Sequence, residues 1–388
     1  MFIHERGPVA IYDNYVGIVA EYNPLHNGHA YHIGRARELT GASGVVVVLS
    51  SYFTQRGEPA LLSPWDRAES ALLAGANLVL GLPVFFSCHN AGVFASGAID
   101  TLVATGVVRT LSFGMEDPNF DVSQLLDILV HEPVTFKDTL KKHLNSGFSY
   151  VKARAEALGA FNPDYRRIAS SPNNALALAY MEHIKRKNIN MVCAPVRRVG
   201  GGYHDASLPP TSGEACFASA SAIRKGIAER GLDALLPQLP GASNEILRRC
   251  MREGRYVLSS DLLWRTVRTL FLRTPADTLA RHSEIGEGME NRLLRFVEDS
   301  STWEEFVGRC ISARYPRGRV QRQIVHFLLG VDHWENRALQ AGGPAFVRPL
   351  AADGTGLEIL RKMRDKGTLP VRGRLQLKKQ GPEGILAR

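Results

Sequence analysis

Residues 17–29 read G-I-V-A-E-Y-N-P-L-H-N-G-H. His26 and His29 stand three apart, where a short apolar, β-branched run (Val16–Ala20) gives way to a helical pattern from about Gly28 to Leu39. A helix N-terminus offers unpaired N–H groups and a partial positive charge, and both favour a phosphate. Gly28 lacks a Cβ, so the backbone can come close to a ligand. Two imidazoles there can donate hydrogen bonds to a phosphate that gains negative charge. That stabilisation is the main demand of a phosphoryl or nucleotidyl transfer site. His26 and His29 are therefore the candidate catalytic residues, against the plainer reading of two satisfied histidines at a helix cap. His32 completes an H-x-x-H-x-x-H spacing that invites a metal. Three histidines at i, i+3 and i+6 do not share one helix face, so no metal site is expected.

The elements that must hold these groups follow from the apolar pattern. Val16–Ala20, Val45–Leu49, Leu78–Leu82 and Val107–Phe113 are continuous apolar runs, as in strands of a parallel sheet covered on both faces. Helical patterns over Trp65–Ala74 and Asn90–Ala104 alternate with them, which predicts a doubly wound, Rossmann-like α/β unit. Ligands in such a sheet bind beyond the carboxyl ends of the strands. After Glu116 the pattern turns helical: Val122–Val130, Thr135–Asn145, Tyr150–Leu158 and Asn173–Lys187. Met191–Val199 reads as a late strand, broken by Gly200-Gly201-Gly202, and Ser219–Arg230 as a further helix. The Pro/Gly-rich stretch Leu236–Ala242 predicts a boundary, so residues 1–238 form a catalytic domain with a helical insertion at about 120–170. Residues 239–388 form a mostly helical domain.

Residues 26–29 match the H-x-G-H signature and so resemble the nucleotidylyltransferase superfamily. The resemblance implies attack on the α-phosphate of a nucleotide with loss of pyrophosphate. Phe217–Arg224 (F-A-S-A-S-A-I-R) is similar to the I-S-S-T-x-x-R element that closes that superfamily's catalytic domain. Ser219 would then cap a helix, and Arg224, one turn in, would bridge the β- and γ-phosphates. Alone, this stretch is a plain capped helix.

A narrower resemblance spans roughly residues 16–330. Glu21–His29, Gln55–Ala60 (Q-R-G-E-P-A), Ser112–Glu116, Ser171–Asn174, Arg198 with Gly202–Asp205, Glu287–Arg292 and Arg319–Arg322 are similar, in order, to motifs of the tRNA(Met) cytidine acetate ligase family. That resemblance implies an ATP-dependent acetate ligase, and the scattered cysteines with no signal-peptide pattern make a cytoplasmic protein the expectation. The ligase would form acetyl-adenylate and pass the acetyl group to N4 of the wobble cytidine of elongator tRNA(Met). ATP is the co-substrate, with Mg2+ accompanying the nucleotide, and acetate and tRNA are the other partners. The implied nucleotide contacts are Val19, Ala20, Glu21, Tyr22, Asn23, Pro24, Leu25, His26, Asn27, Gly28, His29, Ala30, Tyr31 and His32, then Gly114, Asn173 or Asn174, and Arg198, with Ser219 and Arg224. One departure is Ser50-Ser51-Tyr52-Phe53 where the family shows S-G-N-F or S-G-H-F, which places Tyr52 near the choice of acyl donor or acceptor.

Charge agrees with a polyanion partner. The chain carries a net +9, but Met1–Val130 holds six Arg, no Lys and twelve Asp and Glu. That segment nets −6, leaving +15 on the rest. Arg248 and Arg249, and Arg314, Arg317, Arg319 and Arg322 beside Tyr315, are the candidate tRNA contacts, with the tail Arg372, Arg374, Lys378 and Lys379 a weaker group; solvated helix faces are the alternative. Five scattered cysteines without a C-x-x-C pair argue against structural zinc or a disulfide framework. No apolar run approaches a membrane span, and Met1–Asn14 has no signal-peptide pattern. Three other readings remain: an acetate ligase acting on a protein thiol, a nucleotidyltransferase making a coenzyme, and an RNA-binding protein with a vestigial nucleotide site.

Overall fold

The computed structural model of the chain, which describes residues 14–198 and 217–373, turns the apolar runs into five parallel strands. These are β1 (Tyr15–Ala20), β2 (Gly44–Leu49), β3 (Leu78–Gly81), β4 (Val108–Met115) and β5 (Val192–Arg197). The sheet order is β5-β4-β1-β2-β3-β6, where β6 is Arg348–Ala352. Every residue of β2 is buried. Its alternation shows why: Val46 and Val48 enter one core, while Val45, Val47 and Leu49 enter the other. Helix α1 (Asn27–Thr40) and helix α2 (Pro64–Leu73) cover the second core. Ala91–Ala104 and Pro172–Arg186 cover the first. Pro195 lies in β5, an edge strand, where a missing N–H is tolerated.

Four helices, Ser123–His131, Val134–Asn145, Tyr150–Gly159 and Pro163–Ser170, fill the stretch between β4 and Pro172–Arg186. The sequence reading missed the helix Pro163–Ser170. Two further differences concern the region after residue 238. First, the expected boundary at Leu236–Ala242 runs through a core: Ile223, Ile227, Leu235, Leu239, Ile246 and Leu247 pack together with Leu61 and Leu62. Second, the region is mostly helical as expected but also contributes a strand to the sheet. β6 returns to pair antiparallel with β3, and Gly354–Lys366 packs behind it. The strand's own pattern, R-P-L-A-A, is too short and mixed to announce this. The return is fastened by Asn77, whose Nδ2 donates to Asp353 Oδ2 at 2.9 Å and whose carbonyl accepts from Asp353 N–H at 3.1 Å. A Cβ at position 356 would lie 2.0 Å from that carbonyl, so the close approach requires Gly356. Between 261 and 328, five helices share a separate core around Phe271, Leu279, Leu293, Trp303, Phe306 and Ile324. Gly200–Gly202, Tyr203, His204, Asp205, Arg374, Lys378 and Lys379 lie outside the described residues.

Candidate active site

β1 ends at Ala20, and the chain crosses the carboxyl edge of the sheet before α1 begins. His26 is the N-cap of α1. Its Nδ1 accepts from Gly28 N–H at 3.1 Å, while His29 Nδ1 accepts from His26 N–H at 3.3 Å. This is a capping box in which both side chains are imidazoles. The two rings stack with centroids 3.8 Å apart. An acceptor at Nδ1 leaves the proton of a neutral ring on Nε2, so each ring retains one donor. A Cβ at Gly28 would sit 3.0 Å from His26 Cε1 and 3.2 Å from Phe217 Cβ. Gly28 therefore makes room for the His26 ring itself, a use of glycine that the motif alone does not reveal.

The rings are neutral. Burial holds His26 down to about 3 and His32 to about 4, and the Arg198 guanidinium adds to both shifts. His29 is pushed well below the usual imidazole range by burial, then by His26, Arg198 and His32, with the Pro24 carbonyl opposing. His32 Nε2 lies 3.1 Å from Ser112 Oγ. Among the described residues no group of three or more His, Cys, Asp and Glu side chains converges as metal ligands do.

A histidine held neutral in the fold but free to protonate when unfolded sets a direction for stability. The unfolded chain binds more protons below about pH 6.5, so stability is fully present above that pH and is lost as pH falls toward the folded values near 4 and 3. His89 behaves alike, held to about 4 by burial. Thermal unfolding is therefore expected to move down steadily between pH 7 and pH 5, with each histidine contributing up to about 1.4 kcal/mol per pH unit. Differential scanning fluorimetry across that range checks this; a flat profile would contradict the buried, neutral rings.

The histidines face a cavity of about 300 Å³. Val19, Ala20, Glu21, Tyr22, Asn23, His26, Gly28, His29, Tyr31 and His32 line it, with Gly114, Asn173, Arg198, Ser219 and Arg224. Five of the expected nucleotide contacts are not on its wall. Leu25 is 2% exposed in the core behind α1. Asn27 Nδ2 donates to the Pro237 carbonyl at 2.8 Å. Asn174 is buried and accepts from Glu116 N–H at 3.0 Å, bracing the end of β4. Pro24 and Ala30 also stay off the wall. Of the two asparagines, the cavity takes Asn173, whose Oδ1 accepts from Arg198 Nη1 at 2.8 Å. Gly114 seats the Arg198 stem: a Cβ there would meet Arg198 Cγ at 3.2 Å. Ser219 Oγ accepts from Ala222 N–H at 3.1 Å and so caps the helix Ala220–Arg230. Arg224 reaches back to the Asn23 carbonyl at 2.7 Å and to Glu58 Oε2 at 2.8 Å.

Several wall residues are not among the candidate site residues read from the sequence: Gln55, Arg56, Glu58, Phe217 and Tyr180. Gln55, Arg56 and Glu58 fall in the Q-R-G-E-P string and Phe217 opens F-A-S-A-S-A-I-R, but neither string says which strand end it caps, and Tyr180 has no such signal. Glu21 ties the loop down by accepting from Gln55 N–H at 2.6 Å, and burial raises its carboxyl above the usual range. Gly57 has φ +78° and packs on the helix Arg317–Leu328, where a Cβ would lie 2.5 Å from Arg322 N. Gly57→Ala is expected to cost about 1–3 kcal/mol in urea unfolding, since it meets both a left-handed backbone and a backbone clash. Gly318→Ala, whose nearest contact would be 3.7 Å away, is the control and should be neutral or stabilising.

Tyr52 does not line the cavity and is 51% exposed. The basic candidates divide. Arg248 pairs with Asp233, Arg249 with Glu69 and Asp66, Arg314 with Glu287, and Arg317 with Glu304. Apart from the buried Asp66, the partners in these pairs are at least a third exposed, and such pairs are of small net worth. Arg319 stacks 4.3 Å over the Tyr315 ring. Tyr315 is 6% exposed and donates to Glu287 Oε2 at 2.8 Å, so it is not an open stacking surface. Arg322 is largely buried, pairs with Glu284 Oε2 at 3.0 Å and donates to the Gln55 carbonyl at 3.4 Å. It braces the cavity loop rather than presenting a surface charge.

Residues 13–386 match the HIGH Nucleotidyl Transferase family, and the chain belongs to that class. It is 33% identical over 359 residues to the tRNA(Met) cytidine acetate ligase of Thermoanaerobacter sp. (strain X514), covering 92% of this chain and 87% of the relative. The protein of that name from Syntrophomonas wolfei is 34% identical over 362 residues, covering 92% and 86%. Within the HIGH class, the chain is a member of the tRNA(Met) cytidine acetate ligase family. The crystal structure of Thermotoga maritima TmcAL without ligand superposes with a TM-score of 0.88 at 31% identity, covering 92% of this chain and 85% of that one. The same protein bound with alpha-thio ATP superposes with 0.85.

Proposed function

We propose that this protein is an ATP-dependent acetate ligase that acetylates N4 of the wobble cytidine of elongator tRNA(Met). The observation that carries the reading is the pair of neutral, mutually capped histidines facing a cavity whose wall includes Arg56, Arg198 and Arg224. Cations there suit a triphosphate, and the neutral Nε2–H groups suit an α-phosphate passing to its transition state. An acetate oxygen attacks the α-phosphorus, the bond to the β-phosphate bridging oxygen breaks, and pyrophosphate leaves. The cytidine N4 then attacks the acetyl carbonyl of the mixed anhydride, AMP departs, and the amine proton passes to solvent. Buried polar atoms on the wall support a small carboxylate. Tyr22 Oη, Asn23 Nδ2 and Gln55 Nε2 have no hydrogen-bond partner among the described residues, and acetate would satisfy such donors.

Mg2+ would enter with the triphosphate and be held by its oxygens and water. The wall carboxylates are already committed, Glu21 to Gln55 and Glu58 to Arg224. Among the described residues no helix is long and apolar enough to cross a membrane. The reading places the protein in the cytoplasm, where ATP and tRNA meet. Incubation with ATP, radiolabelled acetate and bulk tRNA, followed by digestion to nucleosides, tests the whole scheme. Label is expected in N4-acetylcytidine. Label found only in acetyl-adenylate would remove the second half of the reaction.

A further inference from the structure

We propose that Tyr52 and Trp65, with Arg348, form a stacking platform for an unpaired base of the RNA acceptor. The proposal rests on the reading that the acceptor is a tRNA. Tyr52 is 51% exposed and Trp65 45%. Their ring centroids lie 6.0 Å apart, with planes inclined at 62°. The Arg348 guanidinium lies 5.5 Å from the Trp65 ring centroid. Three elements bring these side chains together. Tyr52 follows β2, Trp65 opens α2, and Arg348 starts β6 opposite Gly81 at the end of β3. All three positions are on the carboxyl edge of the sheet, the edge on which the cavity opens.

The platform stands on a braced loop. Ala60 N–H donates to the Tyr52 carbonyl at 2.8 Å, and Arg67 donates to the Ser51 carbonyl. Leu61 N–H donates to Asn23 Oδ1 at 2.7 Å, and Asn23 is itself on the cavity wall. Thr54, two residues beyond Tyr52, lines the cavity as well. Large aromatic rings this exposed add little to a core, and the loop that carries Tyr52 continues into the cavity wall at Thr54 and Gln55. Aromatic faces beside a guanidinium are what single-stranded bases stack on, and loops are where RNA offers unpaired bases. The net charge of +9, and Arg348 within the platform itself, favour a polyanion over an apolar protein partner.

The test uses the full chain and bulk tRNA. In a Trp334→Phe background, the exposed tryptophan signal comes from Trp65, since Trp264 and Trp303 are buried. Added tRNA should quench that signal, and a blunt RNA duplex should not. Tyr52→Ala and Trp65→Ala should each raise the KM for tRNA by about 10-fold, while acetate-dependent ATP–pyrophosphate exchange stays at the wild-type level. Tyr52→Phe should keep the wild-type KM. Equal quenching by duplex, or unchanged KM for tRNA in both alanine variants, would overturn the platform. If the wild-type protein shows no acetate-dependent exchange, the function reading fails instead, and the quenching comparison alone decides the platform.

Discussion

Replacing His29 with alanine is expected to lower acetate-dependent ATP–pyrophosphate exchange by roughly 10²–10³-fold and to leave tRNA binding unchanged. The size of the effect follows from the geometry. His29 Nδ1 accepts the N-cap N–H, and its ring stacks on His26 at 3.8 Å. In the proposed reaction the variant would lose one donor to the phosphate and loosen the other. Because the rings act as a unit, the His26→Ala/His29→Ala double variant should be little worse than either single one. His29→Asn keeps an acceptor for the cap and an N–H donor, so it should recover part of the rate. Exchange at the wild-type rate in His29→Ala would take the imidazole out of the chemistry. Loss of tRNA binding in the same variant would contradict the separation of the adenylating site from the RNA surface.

The second large effect belongs to a residue that is not on the cavity wall. Arg67 is 1% exposed and donates to the carbonyls of Leu62 (3.1 Å), Glu21 (2.5 Å), Ser50 (3.0 Å) and Ser51, and to Ser50 Oγ (3.2 Å). Burial pulls its guanidinium down to about 10, with the Glu21 carboxylate opposing. It is the peg on which the loop after β2 hangs, between the ends of β1 and β2. Arg67→Met strands four carbonyl oxygens and should destabilise by about 3–5 kcal/mol in urea unfolding. Arg67→Lys should rescue little, because a single ammonium cannot reproduce a planar fork with five donors. Wild-type stability in Arg67→Met would show that solvent or neighbouring groups replace the guanidinium.

These two residues mark where sequence reading succeeds and where it stops. The histidine pair was legible because its signal is local. A strand run, a turn and a helix start within thirteen residues fix both rings at one helix terminus, whatever the rest of the chain does. The buried strands were legible for the same reason, since V-V-V-V-L suits a strand covered on both faces. Arg67 left a fainter trace. Pro64, Arg67, Ala68 and Ala71 share the buried face of α2, so the arginine sits where an apolar residue belongs. Its partners lie 5 to 46 positions away and could not be named.

The sequence by itself therefore determined the family motif and the edge of the sheet at which its two histidines sit. Side-chain type, periodicity and capping are properties of short segments. Only the tertiary structure decided which neighbours complete the cavity. It selected Asn173 over Asn174, turned Arg322 from a candidate RNA contact into a buried brace, and brought β6 back against β3. Each of those outcomes depends on contacts between segments far apart in the chain, such as Asn77 with Asp353 or Gln55 with Arg322. Local propensity carries no record of them, because the energy that selects them exists only once both segments are folded and packed.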